Sequence, residues 1–290
     1  MVESRTILTV HAHPDDEASK GAPTLAKYHA EGARTVLVCC TGGEAGDILN
    51  PAMDREEVRA DLKAVRQAEL DRAAAIIGYD AVIMLGYRDS GMPGSEANGH
   101  PDCFANAPLK EAVERLAEII RRERPQVILT YGDEQGGYPH PDHLRVHDIT
   151  HPAVEQAADP GWVSEAGDPW QVAKVYYSVW SKRRIELTHA KYLELDLESP
   201  YSEEWFSRPW QDHRITTMID IEGFADVRFD ALLAHATQID PESPFWFGLP
   251  RDVATSIHPF DDYILASSTV PVDTPETDLF AGLRDPADVR

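Results

Sequence analysis

The first apolar run, TILTVHA at residues 6–12, passes without a break into HPDDE, so an unusual set of ionisable groups sits at the very end of a strand. Groups of that kind are costly to leave unpaired beside an apolar segment, and their placement demands partners from elsewhere in the chain. Three more runs of strand character follow: RTVLVCC at 34–40, AVIML at 81–85 and QVILTYG at 126–132. They alternate with segments of helical period: a helix from about Ala22, a long one from Asp54 to Ile77 closed by Gly78, and one from about Leu109 to Arg122. This alternation predicts an α/β fold, a Rossmann-like, mostly parallel sheet flanked by helices. The reading places a core in residues 1–160. Residues 161–290 are expected to form a C-terminal α+β extension that packs on the core and shapes a pocket, with strands at 173–180 and 216–221 and an amphipathic helix over 224–239.

In an open α/β sheet, ligands gather beyond the carboxyl ends of the strands where strand order reverses. For the order 3-2-1-4, strands one and four are neighbours at that point. His13, Asp15 and Asp16 after the first strand would then face Tyr138, His140 and His143 after the fourth. A single histidine at a strand end is commonly structural, but two His-Pro-Asp loops converging on one place supply imidazoles and carboxylates suited to zinc or iron.

The chain carries 50 acidic and 27 basic residues, a formal net charge of −23, which repels phosphate backbones and anionic membranes and argues against nucleic acid as a partner. The three cysteines lack CxxC spacing, which fits a reducing cytoplasm, and neither an export signal nor a run of about 18 apolar residues is expected. The first strand-to-helix turn has no GxGxxG and sets carboxylates where a dinucleotide's phosphates would lie, so a nucleotide-binding reading is disfavoured. A binding module that uses a metal only for structure is the non-enzymatic alternative. The sequence carries no signal for an oligomeric state.

HAHPDDE followed by GGYPHPDH resembles the zinc-dependent deacetylases of N-acyl glucosamine units, the superfamily named for the lincomycin-biosynthesis protein and the de-N-acetylase of glycosylphosphatidylinositol synthesis. GEAGDILNPAMD, YRDSGMP, DCFANAPL, GDPW, AHATQID and TDLFAGL extend the likeness along the chain, towards its actinobacterial mycothiol enzymes. The resemblance implies Zn2+, with Fe2+ as an alternative, on His13, Asp16 and His143. It makes Asp15 the general base and His140 the opposing acid, with Asp142 orienting His140 and Tyr138 bonding the oxyanion; a packing role for Tyr138 and a surface or capping role for Asp142 are the plain alternatives. Arg66 and Asp89 match positions that bind sugar or inositol hydroxyls, against the alternatives of a solvated helix-face arginine and a loop-capping aspartate; Asp47, an acceptor-only carboxylate suited to a polyol, is a further candidate of the same kind. Lys20 follows the first motif where the amidase subgroup has a lysine, and could reach the cysteinyl part of a larger substrate. The implied substrate is a small molecule. The implied reaction is hydrolysis of the amide between the cysteinyl carbonyl and glucosamine nitrogen of mycothiol S-conjugates, with deacetylation of N-acetylglucosaminyl-inositol as the rival.

Overall fold

The computed structural model describes residues 5–133 and 138–283. Its strands are β1 (Thr6–His11), β2 (Arg34–Thr41), β3 (Ala81–Tyr87), β4 (Val127–Thr130), β5 (Lys174–Val179), β6 (Thr217–Asp220) and β7 (Phe260–Ser268). The helices are α1 (Asp16–Ser19), α2 (Ala22–Ala30), α3 (Glu56–Ala60), α4 (Leu62–Ile77), α5 (Leu109–Glu123), α6 (Pro141–Ala158), α7 (Lys182–Glu194), α8 (Glu203–Phe206), α9 (Asp226–Ala234), α10 (Pro244–Phe247) and α11 (Arg251–Ile257). The strands form one sheet in the order β3-β2-β1-β4-β5-β7-β6. The first five run parallel, and β7 is antiparallel to both β5 and β6.

Alternate side chains of β1 project to opposite faces. Leu8 and Val10 join Val36, Val38, Leu116, Ile120, Val146 and Ile149 in the core under α5 and α6. Ile7 packs on the other face with Leu25, Ala73, Ile77 and Leu129, beneath α2, α4 and α9. Both faces of the central strands are therefore covered, as a parallel sheet requires. Among the described residues, those after 160 do not build a sheet of their own: β5, β7 and β6 continue the same one, and α9 packs beside α4.

Two expected helices are shorter than their apolar pattern. The segment 54–77 is broken at Asp61, which leaves helical geometry (φ −143°) and accepts a hydrogen bond from the Ala64 N–H at 3.3 Å, capping α4. The segment 224–239 is helical only over Asp226–Ala234, because His235, Thr237 and Gln238 turn inward to bond Glu17, Glu69 and Asp47.

The distal sheet is tied by a buried ion pair. Lys174 Nζ donates to Glu276 Oε1 at 2.5 Å, while Tyr176 and Thr217 hydroxyls donate to Glu276 Oε2. Removing one partner leaves the other charge buried and uncompensated. Lys174→Met is expected to lower the unfolding free energy in urea titrations by about 3–5 kcal/mol; a change within experimental error would show that the pair does not hold the sheet edge.

Candidate active site

β1 delivers the first half of the site. After His11 the chain turns sharply, and Asp15 adopts φ 113°, a conformation L side chains rarely adopt. Local bonds hold it there: the Asp15 N–H donates to Glu17 Oε2 at 2.9 Å, and the Asp15 carbonyl accepts from the Ala18 and Ser19 amides. Glu17 is itself fully buried against His235, with Nε2 to Oε1 at 2.5 Å. This backbone turn faces Asp15 outward, with 28% of its side chain exposed, while Asp16 turns inward with 5% exposed.

β4 delivers the second half. Its neighbour relation with β1 brings Tyr131 against the turn, where the Ala12 N–H donates to the Tyr131 hydroxyl at 3.1 Å. The Tyr131 ring stacks on His143, with centroids 4.5 Å apart and planes 8° apart. His140 is the residue before α6, and His143 lies in its first turn. Residues 134–137, including the two glycines that precede Tyr138, lie outside the described residues.

The halves meet at the Asp16 carboxylate. Its Oδ2 is 3.4 Å from both His13 Nδ1 and His143 Nε2, and its Oδ1 is 2.6 Å from Lys20 Nζ. His13, Asp16 and His143 offer donor atoms within 4.8 Å of one another, and so do His13, Asp89 and His140. Two imidazoles and a carboxylate fit zinc or ferrous iron. The first trio has a further property of metal sites, an outer carboxylate on the ligand histidine: His13 Nε2 lies 3.2 Å from Asp142 Oδ2.

The Asp142 carboxylate faces β1 from the first turn of α6, accepts from the Ser90 amide at 3.0 Å and from the Ser90 hydroxyl, and reaches His13, while its charge also favours the protonated form of His140. The backbone amide of Asp142, not its side chain, donates to His140 Nδ1 at 3.2 Å. Burial, then the neighbouring His13 and His143, push His140 down to about 4, so its ring is neutral near pH 7 and, with Nδ1 accepting, carries its proton on Nε2.

The other expected residues all line one cavity of about 440 Å3 with these groups. Arg66 is buried and mostly committed: it donates to the Gly43 carbonyl at 2.5 Å, to the Pro14 carbonyl, and to Asp15 Oδ2 at 3.0 Å. Burial pushes the Asp15 carboxyl upward; Arg66 opposes this, and the like charge of Asp16 adds to it. Asp89 accepts from the Ala45 and Gly91 amides and sits 3.4 Å from His13 Nε2. Asp47 is exposed, Tyr138 is 50% exposed at the rim, and Lys20 spends its ammonium on Asp16. Sequence reasoning did not single out Glu17, Ser90, Tyr131, His235, Gln238 or Trp246; Gln238 and His235 lie in AHATQID, a stretch whose polarity inside an amphipathic pattern was the available signal.

A family model described as PIG-L, GlcNAc-PI de-N-acetylase, matches residues 8–154. The chain is 44% identical over 298 residues to the mycothiol S-conjugate amidase of Streptomyces coelicolor, covering 99% of this chain and 100% of that protein. It is 41% identical over 295 residues to the 1D-myo-inositol 2-acetamido-2-deoxy-alpha-D-glucopyranoside deacetylase of Thermobifida fusca, covering 97% and 100%. Among solved structures, the N,N'-diacetylchitobiose deacetylase from Pyrococcus horikoshii superposes with a TM-score of 0.63 at 17% identity, over 91% of this chain and 84% of that one.

The two candidate trios share His13 and differ in the other histidine. Calorimetric zinc titration is expected to give one site in the wild type, a loss of affinity of about 100-fold or more in His143→Ala, and near-native affinity in His140→Ala; the reverse pattern would assign the ion to Asp89 and His140.

Proposed function

The chain belongs to the GlcNAc-PI de-N-acetylase (PIG-L) family, and from that premise we propose that it hydrolyses mycothiol S-conjugates at the amide between the cysteinyl carbonyl and the glucosamine nitrogen. The products would be an N-acetylcysteine S-conjugate and glucosaminyl-inositol. As a member of a family of deacetylases and amidases it is a hydrolase. The observation that carries the reading is the position of Asp15: a partly exposed carboxylate beside, but not within, the His13–Asp16–His143 trio.

Zinc, or ferrous iron, bound by that trio would make a water acidic, lowering its pKa towards about 7, and would polarise the amide carbonyl. Asp15 takes the proton from the attacking water. Arg66 holds its carboxylate by one oxygen, which leaves the other free, and the fixed backbone turn aims it into the cavity. The proton that Asp15 gains can pass to the departing amine, and its upward-shifted pKa suits that return. His140, neutral with its proton on Nε2, donates a hydrogen bond to the developing oxyanion, and Tyr138 supplies a second donor from the rim. Asp47, Asp89 and Gln238 line the part of the cavity suited to sugar and inositol hydroxyls.

Likeness to the S. coelicolor amidase over the full length of both chains supports the amidase reading, and Lys20 within the cavity accords with it. The 41% identity to the T. fusca enzyme favours a second reading, deacetylation of N-acetylglucosaminyl-inositol by the same groups. Among the described residues no helix is long and apolar enough to cross a membrane.

Two measurements test the proposal. Zinc-loaded protein given a bimane-labelled mycothiol conjugate and, separately, the acetylated sugar is expected to turn over the conjugate with the larger kcat/KM, its products identified by mass; a strong preference for the acetylated sugar would replace the amidase reading with the deacetylase one. Asp15→Asn is expected to keep stoichiometric metal and lose about 100- to 10,000-fold in kcat, whereas normal turnover would remove Asp15 from the mechanism.

A further inference from the structure

Beyond Lys20 the active-site cavity continues into a second one of about 380 Å3. The two share Ser19, Lys20, Tyr138, His143 and Trp246 as a common wall. The second cavity has a different chemistry. Four of the chain's six tryptophans, Trp180, Trp205, Trp210 and Trp246, line it together with Phe245. None of these five rings is fully buried, so they do not form an ordinary core cluster.

Their mutual packing fixes them as flat walls. Trp180 lies parallel to Phe245 at 5.9 Å, within 3° of coplanar orientation, and Phe245 meets Trp246 edge-on at 4.8 Å. The Arg208 guanidinium carbon sits 3.7 Å from the Trp205 ring centre, bracing it from one side. Trp210 Nε1 is buried and has no hydrogen-bond partner among the described residues.

Position gives these walls a meaning. Asp47, Arg66, Asp89 and Gln238 line the first cavity and not the second, and the aromatic group, Trp246 excepted, lines the second and not the first; His143, Tyr138 and Lys20 stand between. A substrate whose scissile amide lies at His143 and Asp15, with its polyol among the carboxylates, directs its acyl half towards the tryptophans. The methyl of an acetyl group occupies a volume on the order of one water, ~30 Å3, and would leave that space almost empty. A cavity of about 380 Å3 instead falls in the range of pockets that enclose whole small molecules.

We propose that the tryptophan-lined cavity is the acyl-side subsite of the enzyme and takes a large, flat, aromatic substituent carried on the acyl group. This rests on the amide-hydrolase reading above and adds to it the class of substituent selected. Aromatic rings stack well on indole faces, and the gain is made away from the reacting atoms.

The test uses zinc-loaded wild type, Trp205→Ala and Trp210→Ala, with two substrates that share the cysteinyl-glucosaminyl-inositol body and carry S-benzyl or S-methyl. Wild type is expected to favour S-benzyl in kcat/KM by about tenfold or more, mainly through KM, as for burial of one aromatic ring. Each variant is expected to bring that ratio down at least about threefold. An equal loss on both substrates, or an unchanged ratio in both variants, would overturn the assignment. A second readout needs no turnover: N-acetyl-S-benzylcysteine, the acyl half alone, is expected to quench tryptophan fluorescence saturably in wild type and more weakly in Trp210→Ala. Quenching without hydrolysis of either thioether would sink the amidase reading and keep the subsite. No saturable quenching would sink the subsite even if hydrolysis proceeds.

Discussion

A carboxylate with almost no access to water must be matched by positive or hydrogen-bonding neighbours, and the site is organised around one such group. Asp16 is 3% exposed, and Lys20, His13 and His143 are its partners. Burial alone would raise its pKa; Lys20 and His143 oppose this and hold it well below the usual carboxylate range, so it stays ionised. The partners come from three places: the turn after β1, the residue that ends the short helix α1, and the first turn of α6. His13 and Lys20 lie within four residues of Asp16, whereas adjacency of β1 and β4 brings position 143 within reach of position 16. Asp15 follows from the same constraint, since with Asp16 drawn inward the strained turn presents its neighbour to the cavity.

The sheet's first half was readable because periodicity and strand-end chemistry agree. The apolar runs predict β1 to β4 within two residues at most of their ends, and the Rossmann-like order predicts that the two His-Pro-Asp loops meet. The misjudged features depend on polar contacts that an apolar pattern does not show. A regular helical pattern across Asp61 concealed a cap, and the pattern at 224–239 concealed a loop whose polar residues are pulled inward by Glu17 and Glu69. The bonds of Asp142 to Ser90 and His13, set by the helical geometry of α6, have no signal in the sequence. Of the two readings of Arg66, a sugar-contacting residue or a solvated helix-face cation, the second does not hold: the sharp turn at Gly43 (φ 67°), where even a Cβ would collide with the guanidinium, brings it, buried, beneath Asp15.

The second half of the chain extends the catalytic sheet and also walls the cavities. Residues beyond 160 add β5, β7 and β6, and from the connections around them come Gln238, Trp246 and the other tryptophans. Aromatic residues scattered between weak periodic signals converge only in three dimensions, which is why composition hinted at a pocket without locating it. In the proposed reading this arrangement divides the labour: the parallel half supplies groups that act on a bond, and the later half supplies surfaces that select what carries it.

Anomalous diffraction at the zinc edge from crystals of the zinc-loaded protein tests the central claim most directly. A single peak at about 2.0–2.2 Å from one atom each of His13, Asp16 and His143, with the Asp15 carboxylate beside it and not bonded, is the result this account requires. A peak held by His140 and Asp89, or one bonded to Asp15, would contradict it.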